Sequence, residues 1–282
     1  MSLTQEAIQE IADLSVKASG VHIDKLKDTD NEVAIIPVGT KIESLERFSK
    51  YRNELRGYFG TESVDSFIEY NKNQSGDNAT CFIDAEHMLA KTIFDLGTKE
   101  RPLHCLHSAN LTLAKTSDYK ALLDIVGHIG QKNFSDFIED WSENIKCFSE
   151  TKNNEESELI NNKFAVQAVR KVTIESSTEV ESEVGDFEGR SSVLQQAAAR
   201  AGDYSKKLPA LISFKCSPYH GLKEYIFTVR VSVITSNSQP VFSLRIVNHE
   251  KQRDEMVDEF MSIVTNKLSD TDIKTYIGSF AN

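Results

Sequence analysis

The chain has 282 residues, with 43 acidic and 32 basic side chains, a formal net charge of −11, 39% apolar residues and four cysteines. That length can bury one large core or two small ones, which excludes a tail or a fibre. The acidic excess excludes a protein that coats duplex DNA through its overall charge, since that affinity comes from Lys and Arg neutralising phosphates.

Met1 to Glu6 lacks the positive and apolar regions of a secretory signal. No apolar run approaches the roughly 20 residues of a membrane helix, so no membrane partner is expected. From about Thr4 to Ala18 the spacing predicts an amphipathic helix with Thr4 as cap and Ile8, Ile11, Leu14 and Ser15 along one stripe. Val33 to Val38 reads as a short strand. After Arg56-Gly57-Tyr58-Phe59-Gly60 comes a helix opened by Thr61, Ser63 and Asp65, with Val64, Phe67, Ile68 and Tyr70 as its apolar side. Ala79 to Asp84 and Met88 to Leu96 read as paired strands. Leu106 to Lys115 alternates Ala109, Leu111 and Leu113 with Ser108, Asn110 and Thr112. This meander favours an antiparallel sheet over a doubly wound one.

Two helices follow, the first capped by Ser117 and showing Tyr119, Leu122, Leu123 and Val126. The second carries Phe134, Phe137, Ile138, Trp141 and Ile145. Past the polar stretch 149–157 a third helix runs to about Arg170. The period then changes to two, and in Thr173 to Val184 the residues Glu175, Glu179, Glu181 and Glu183 share one parity, an acidic interaction face. Ser191 to Ala201 reads as a short Ala-rich helix. Leu208 to Cys216, Glu224 to Thr235 and Val241 to Val247 read as strands, followed by a helix from Asn248 to about Leu268.

The fold class expected is therefore α+β. Three blocks are expected: an N-terminal α+β domain (1–148), an acidic helix-strand-helix connector (149–205), and a C-terminal sheet with its helix (206–282). One acidic segment, which overlaps the connector, dominates the charge. Between Asp136 and Glu188 there are 14 acids and five bases, a charge of −9, which leaves −2 for the other 229 residues.

The sharpest local signal comes from the last hairpin. A two-residue turn at Asn237-Ser238 pairs Val229 with Ile246, Val231 with Leu244 and Val233 with Phe242 on one face. It sets Arg230 opposite Arg245 on the other, and a slip of one residue would turn Arg245 onto the apolar face. Like charges opposite one another destabilise a sheet, so an anionic partner over them is expected, with Lys215 extending the patch. That partner is a protein surface, such as the acidic face at Glu175 to Glu183 of the same chain or a neighbour. The alternative is the backbone of single-stranded nucleic acid, with Tyr219 or His220 as a stacking ring.

His104, Cys105 and His107 form the one ligand-like cluster, with His87 or Asp95 on neighbouring strands. Imidazole and thiolate suit a soft metal, but the spacing matches no zinc pattern. The plainer reading, hydrogen bonds from a turn to the next strand, is preferred. Glu139 and Asp140 point about 100° apart on a helix and cannot share a proton as a catalytic dyad does. No nucleophile elbow, phosphate loop or zinc-protease helix occurs. The four cysteines, Cys81, Cys105, Cys147 and Cys216, form no Cys-x-x-Cys pair and read as reduced, mostly buried thiols of a cytoplasmic protein. No catalytic residue and no cofactor is expected.

The linear order of several short motifs resembles a known group. These are Arg56-Gly57-Tyr58-Phe59 before Ser66-Phe67-Ile68-Glu69-Tyr70, then Asp95-Leu96-Gly97, then His104 and His107. Phe137-Ile138-Glu139-Asp140-Trp141, Arg190-Ser191-Ser192 and Leu208-Pro209 continue the series. Together they resemble the YfdQ-like phage and prophage family, a domain of unknown function. This family often has an acidic residue between the two histidines, where this chain has Cys105-Leu106. The resemblance implies a mobile-element origin and a place in the cytoplasm of the bacterial host. The expectation is a non-enzymatic, self-assembling accessory protein that contacts a host or phage protein, such as a defence or DNA-processing factor. A single-stranded nucleic-acid-binding or annealing module is the alternative.

Overall fold

Two sheets, of six and five strands, hold most of the strands among the described residues. The computed structural model describes residues 4–18, 22–25, 32–35, 50–52, 54–149, 157–172, 208–236 and 239–281. These fall into two compact units, Met1–Leu55 and Arg56–Asn282.

In the first unit the helix α1 (Gln5–Ala18) begins where expected, with Thr4 Oγ1 accepting from the Ala7 amide at 3.4 Å. Ile8, Ile11 and Leu14 on its apolar stripe are exposed. The first half of the strand expected at Val33 to Val38 lies in β2 (Glu32–Ile35), which pairs antiparallel with β1 (His22–Lys25), and residues 36–38 lie outside the described residues.

The second unit holds a five-stranded sheet of order β13-β4-β5-β6-β3. Its strands are β3 (Gly57–Thr61), β4 (Thr80–Asp84), β5 (Leu89–Ile93), β6 (His107–Thr112) and β13 (Lys274–Ile277). The centre is the expected antiparallel meander. Both edges, β3 on β6 and β13 on β4, pair in parallel, so the sheet is mixed. Neither edge was expected, because Gly57–Thr61 has two glycines in five residues and Lys274–Ile277 is short.

The helix α2 (Val64–Asn73) covers this sheet. Ser63 Oγ caps it by accepting from the Ser66 amide, and Val64, Phe67 and Ile68 are buried. Thr116, not Ser117, caps α3 (Ser117–Asp124), because the Thr116 hydroxyl sits one residue earlier, where it can accept from the Tyr119 amide.

The other sheet has the order β7-β12-β11-β10-β8-β9. Its strands are β7 (Gly127–Gly130), β8 (Ile145–Phe148), β9 (Leu159–Ile160), β10 (Leu211–Cys216), β11 (Tyr225–Ser236) and β12 (Gln239–Ile246), all antiparallel. Helices α4 (Gln131–Asp140) and α5 (Asn162–Lys171) pack together and against this sheet. Ile145 belongs to a strand and not to the helix expected before it, because α4 ends at Asp140. The sheet takes strands from all three expected blocks, so it runs across both expected boundaries, at 148/149 and 205/206. The strand expected at 173–184 and the helix at 191–201 lie outside the described residues.

One continuous hydrophobic core joins the two sheets, and the long helix α6 (His249–Leu268) runs through it with Met256, Phe260, Val264 and Leu268 buried. Polar contacts fasten that helix on both sides. Glu259 accepts from the Tyr225 hydroxyl at 2.6 Å and the Lys223 amide at 2.9 Å, next to the six-stranded sheet. Arg253 donates to the Glu86 carbonyl in the β4–β5 turn, and Lys267 reaches Asp65 of α2 at 2.6 Å.

Because the core is shared, Phe260→Ala is expected to cost about 3–5 kcal/mol and to move a single unfolding transition. Urea melts followed by circular dichroism, which reads both sheets, and by fluorescence of the single tryptophan, Trp141 beside α4, will coincide in the wild type and in the variant.

Candidate anion-binding face

Alternation sorts each strand of the six-stranded sheet into a buried and an outward set. Phe227, Val229, Val231 and Val233 on β11 and Phe242, Leu244 and Ile246 on β12 are buried. The pairing is Val229↔Ile246, Arg230↔Arg245, Val231↔Leu244 and Val233↔Phe242, as expected, and Ser236↔Gln239 leaves two residues for the turn. Both arginines are exposed. Their Cβ atoms lie about 4.5–5.5 Å apart by the geometry of directly opposed residues.

The arginines end a row that runs from β9 across the sheet: Leu159, Phe148, Leu211, Arg230, Arg245. A neighbouring row holds Lys146, Ser213 and Thr228. On the other side Ser232 and Ser243 lead to His128. Among the described strand residues of this face none is acidic.

Lys215 is on the same face, but opposite Ile226 and four residues along from the arginine row, roughly 13 Å by strand rise. It pairs with Glu224 at 2.6 Å, and both side chains are more than half exposed. Such a pair is worth at most about 1 kcal/mol and does not bind Lys215 tightly in place. The acidic interaction face, Glu175, Glu179, Glu181 and Glu183, lies outside the described residues.

Lys146 escaped the sequence reading, which placed it among the bases of an acidic segment. The alternation of Ile145, Lys146, Cys147 and Phe148 is only four residues long, and Ile145 also fits the helical spacing set by Phe137, Ile138 and Trp141. Only the pairing with β10 separates the two. Glu139 accepts from Arg170 of α5 at 2.7 Å and helps tie the two helices.

The histidine cluster resolves into a structural turn. Asp95 accepts from the Leu106 amide at 2.7 Å and the His107 amide at 2.9 Å, and its carbonyl accepts from the Cys105 amide. Cys105 takes a left-handed φ of 55° there. His107 is buried between aromatic rings, its Nε2 2.9 Å from the Tyr70 hydroxyl and its ring 4.6 Å from that of Phe94. His104 is exposed, and His87 pairs with Asp84 at 3.0 Å. No group of three or more His, Cys, Asp or Glu among the described residues is placed to hold a metal ion.

Burial lowers the His107 pKa, against the attraction of Asp95. Burial also raises the thiols of Cys81 to about 11 and of Cys147 and Cys216 to about 12, so they stay protonated at neutral pH. The Cys105 thiol is likewise raised, first by burial and then by Asp95, which makes it a poor nucleophile or ligand.

A family model described as an uncharacterized conserved protein (DUF2303) matches residues 4–280. The chain belongs to this family. No curated protein and no solved structure matches it. The match runs through both sheets and the long helix, so the described fold is that of the DUF2303 domain as a whole. Among the described residues no helix is long and apolar enough to cross a membrane.

The depressed His107 pKa fixes a sign for pH dependence. The unfolded chain takes up the proton first as pH falls, so the contribution of the neutral ring is complete above about pH 6.5 and shrinks below it. Urea midpoints will therefore fall between about pH 7.5 and pH 5.5, and His107→Gln, which cannot charge, will lose that part of the slope.

Proposed function

We propose that the protein is a non-enzymatic binding module and that the outward face of the six-stranded sheet is its contact surface for an acidic protein partner. The observation that carries this reading is the register that opposes Arg230 and Arg245 on a face with Lys146, Lys215, Ser213, Ser232, Ser243 and Thr228. Opposed like charges cost a sheet about 0.2–1 kcal/mol on the scale of cross-strand pairs, and an anion laid over them turns that cost into attraction. Exposed apolar side chains at Ile226 and Leu159 on the same face give a protein surface something to bury besides charge.

Of the two rings expected to stack a base, His220 is exposed and Tyr219 is held in packing, so one of the two candidates for the nucleic-acid reading is withdrawn. Tyr219 is half-buried with its ring 6.0 Å from that of Tyr119 of α3, packed against the core. Phe148 is the one aromatic residue on the described strands of this face, and it is partly buried. The first partner to test is a second copy of the chain, whose run Glu175, Glu179, Glu181 and Glu183 supplies four carboxylates on one parity. The resemblance to YfdQ-like proteins supports a phage or prophage accessory protein in the cytoplasm of a bacterial host. There it would engage a defence or DNA-processing factor through the same face.

Mass photometry across a salt series separates the readings. Wild-type chain is expected to self-associate at low salt and to dissociate as salt screens the contact, while Arg230→Glu with Arg245→Glu weakens association about tenfold or more. A monomer at every salt concentration overturns self-assembly. Oligonucleotide binding that the same double variant abolishes would transfer the face to single-stranded nucleic acid.

A further inference from the structure

The helix α1 (Gln5–Ala18) carries an apolar stripe that its own chain leaves open, with Ile8 and Ile11 55% and Leu14 59% exposed. An isolated helix of about 12–15 residues is marginal in water, and one of this length holds chiefly by packing its apolar side against something. Glu6 and Glu10 flank the stripe and are exposed as well. Glu6, Glu10 and Leu14 follow one another at intervals of four, so they form a single column on the helix surface. Each step along that column is about 6 Å, at 1.5 Å of rise per residue.

The arginine row of the six-stranded sheet has the same order of chemical character. It runs Arg245, Arg230, Leu211, Phe148, Leu159, two cations followed by three apolar side chains. Successive members stand one strand apart, about 4.7–4.9 Å. All five are exposed or partly exposed, so nothing within the chain closes the row over. Two acids four residues apart on a helix have Cβ atoms about 5–6 Å apart, and directly opposed strand residues about 4.5–5.5 Å, so two carboxylates can meet two guanidiniums one to one.

We propose that α1 of a second copy lies along this row, with Glu6 over Arg245, Glu10 over Arg230, and Leu14 over Leu211 and Phe148. The proposal rests on the reading of the arginine face as a contact surface. It assigns that face to α1 rather than to the run Glu175 to Glu183. Stripe and row are both open to solvent in one chain, which makes the contact one between copies. The order of characters also sets the direction of the helix. Reversed, it would lay Leu14 on the arginines and press both carboxylates onto Leu211 and Phe148, where charge loses water and gains no partner. In the matching direction the carboxylates turn the repulsion between the opposed arginines into attraction, and the apolar ends bury each other. One such contact is small for a stable interface. Two copies that exchange helices reciprocally make it twice about a two-fold axis.

The test is sedimentation velocity of the full-length protein at low salt and micromolar concentration. The wild type is expected to dimerise. Glu6→Arg with Glu10→Arg will weaken dimerisation about tenfold or more, and so will Arg230→Glu with Arg245→Glu. Mixed in equal amounts, the two double variants will associate with each other, because the helix of each then meets a sheet of opposite sign. All four residues are exposed, and circular dichroism will confirm that the variants fold. Full dimerisation of the helix variant, with loss in the arginine variant, overturns the assignment to α1 and leaves the arginine face to another acidic segment. Loss in the helix variant alone overturns it too, since α1 then binds elsewhere. A mixture that stays monomeric, or a monomeric wild type, also overturns the inference, and a monomeric wild type leaves the arginine face open to a different acidic protein.

Discussion

A single shared core fixes the chemistry of both outward surfaces. Each sheet must bury one face against that core, and strand side chains alternate, so the buried set determines which residues are presented outside. A one-residue slip of β12 would turn Arg245 inward and Phe242, Leu244 and Ile246 outward. An unpaired charge moved into an apolar core costs several kcal/mol, and the exposed side chains forfeit their own burial as well. The opposition of two arginines is therefore tolerated because the alternative register is far worse. The same constraint places Lys91 and Asn110 outside the other sheet while Ala90, Thr92, Ala109 and Leu111 go in.

The long helix makes the core shared. Its buried stripe of Met256, Phe260, Val264 and Leu268 supplies apolar contact, and Glu259, Arg253 and Lys267 fix its position from different sides. The chain then turns after Leu268 and adds its last strand to β4, parallel to it and far away in sequence. The C-terminal residues thus complete the N-terminal sheet and bring Tyr276 and Phe280 beside Phe82. A boundary drawn before residue 206 would cut this sheet from its edge strand and the other sheet in two.

Wherever local pattern and burial agree, the sequence was readable. The hairpin register, the meander at 80–112 and the long helix follow from alternation or helical spacing, and the structure has them. What stayed hidden depends on pairings between residues far apart. Nothing local in Gly57–Thr61 or Lys274–Ile277 distinguishes a parallel edge strand from a loop, since parallel partners lie across long connections. Lys146 was obscured for a related reason, a four-residue strand following directly on a helix. His104, Cys105 and His107 show the opposite case, in which the preferred reading of a hydrogen-bonded turn was legible, and the backbone turn held by Asp95 exposes the first histidine and buries the last.

The acidic total of the chain and the character of its two outer faces belong to one electrostatic argument. Beyond a Debye length, about 8–10 Å at ordinary salt, the field of a net charge of −11 is largely screened. Inside that distance the local surface decides, and both sheets present cations there with few acids among their described residues. The arginine face offers charge, hydroxyls and aliphatic side chains, which suits carboxylates carried on a protein surface. The five-stranded face has fewer cations but more rings, so salt screens less of its character. The two surfaces thus share a sign and differ in character: charge dominates one, and aromatic rings stand out on the other.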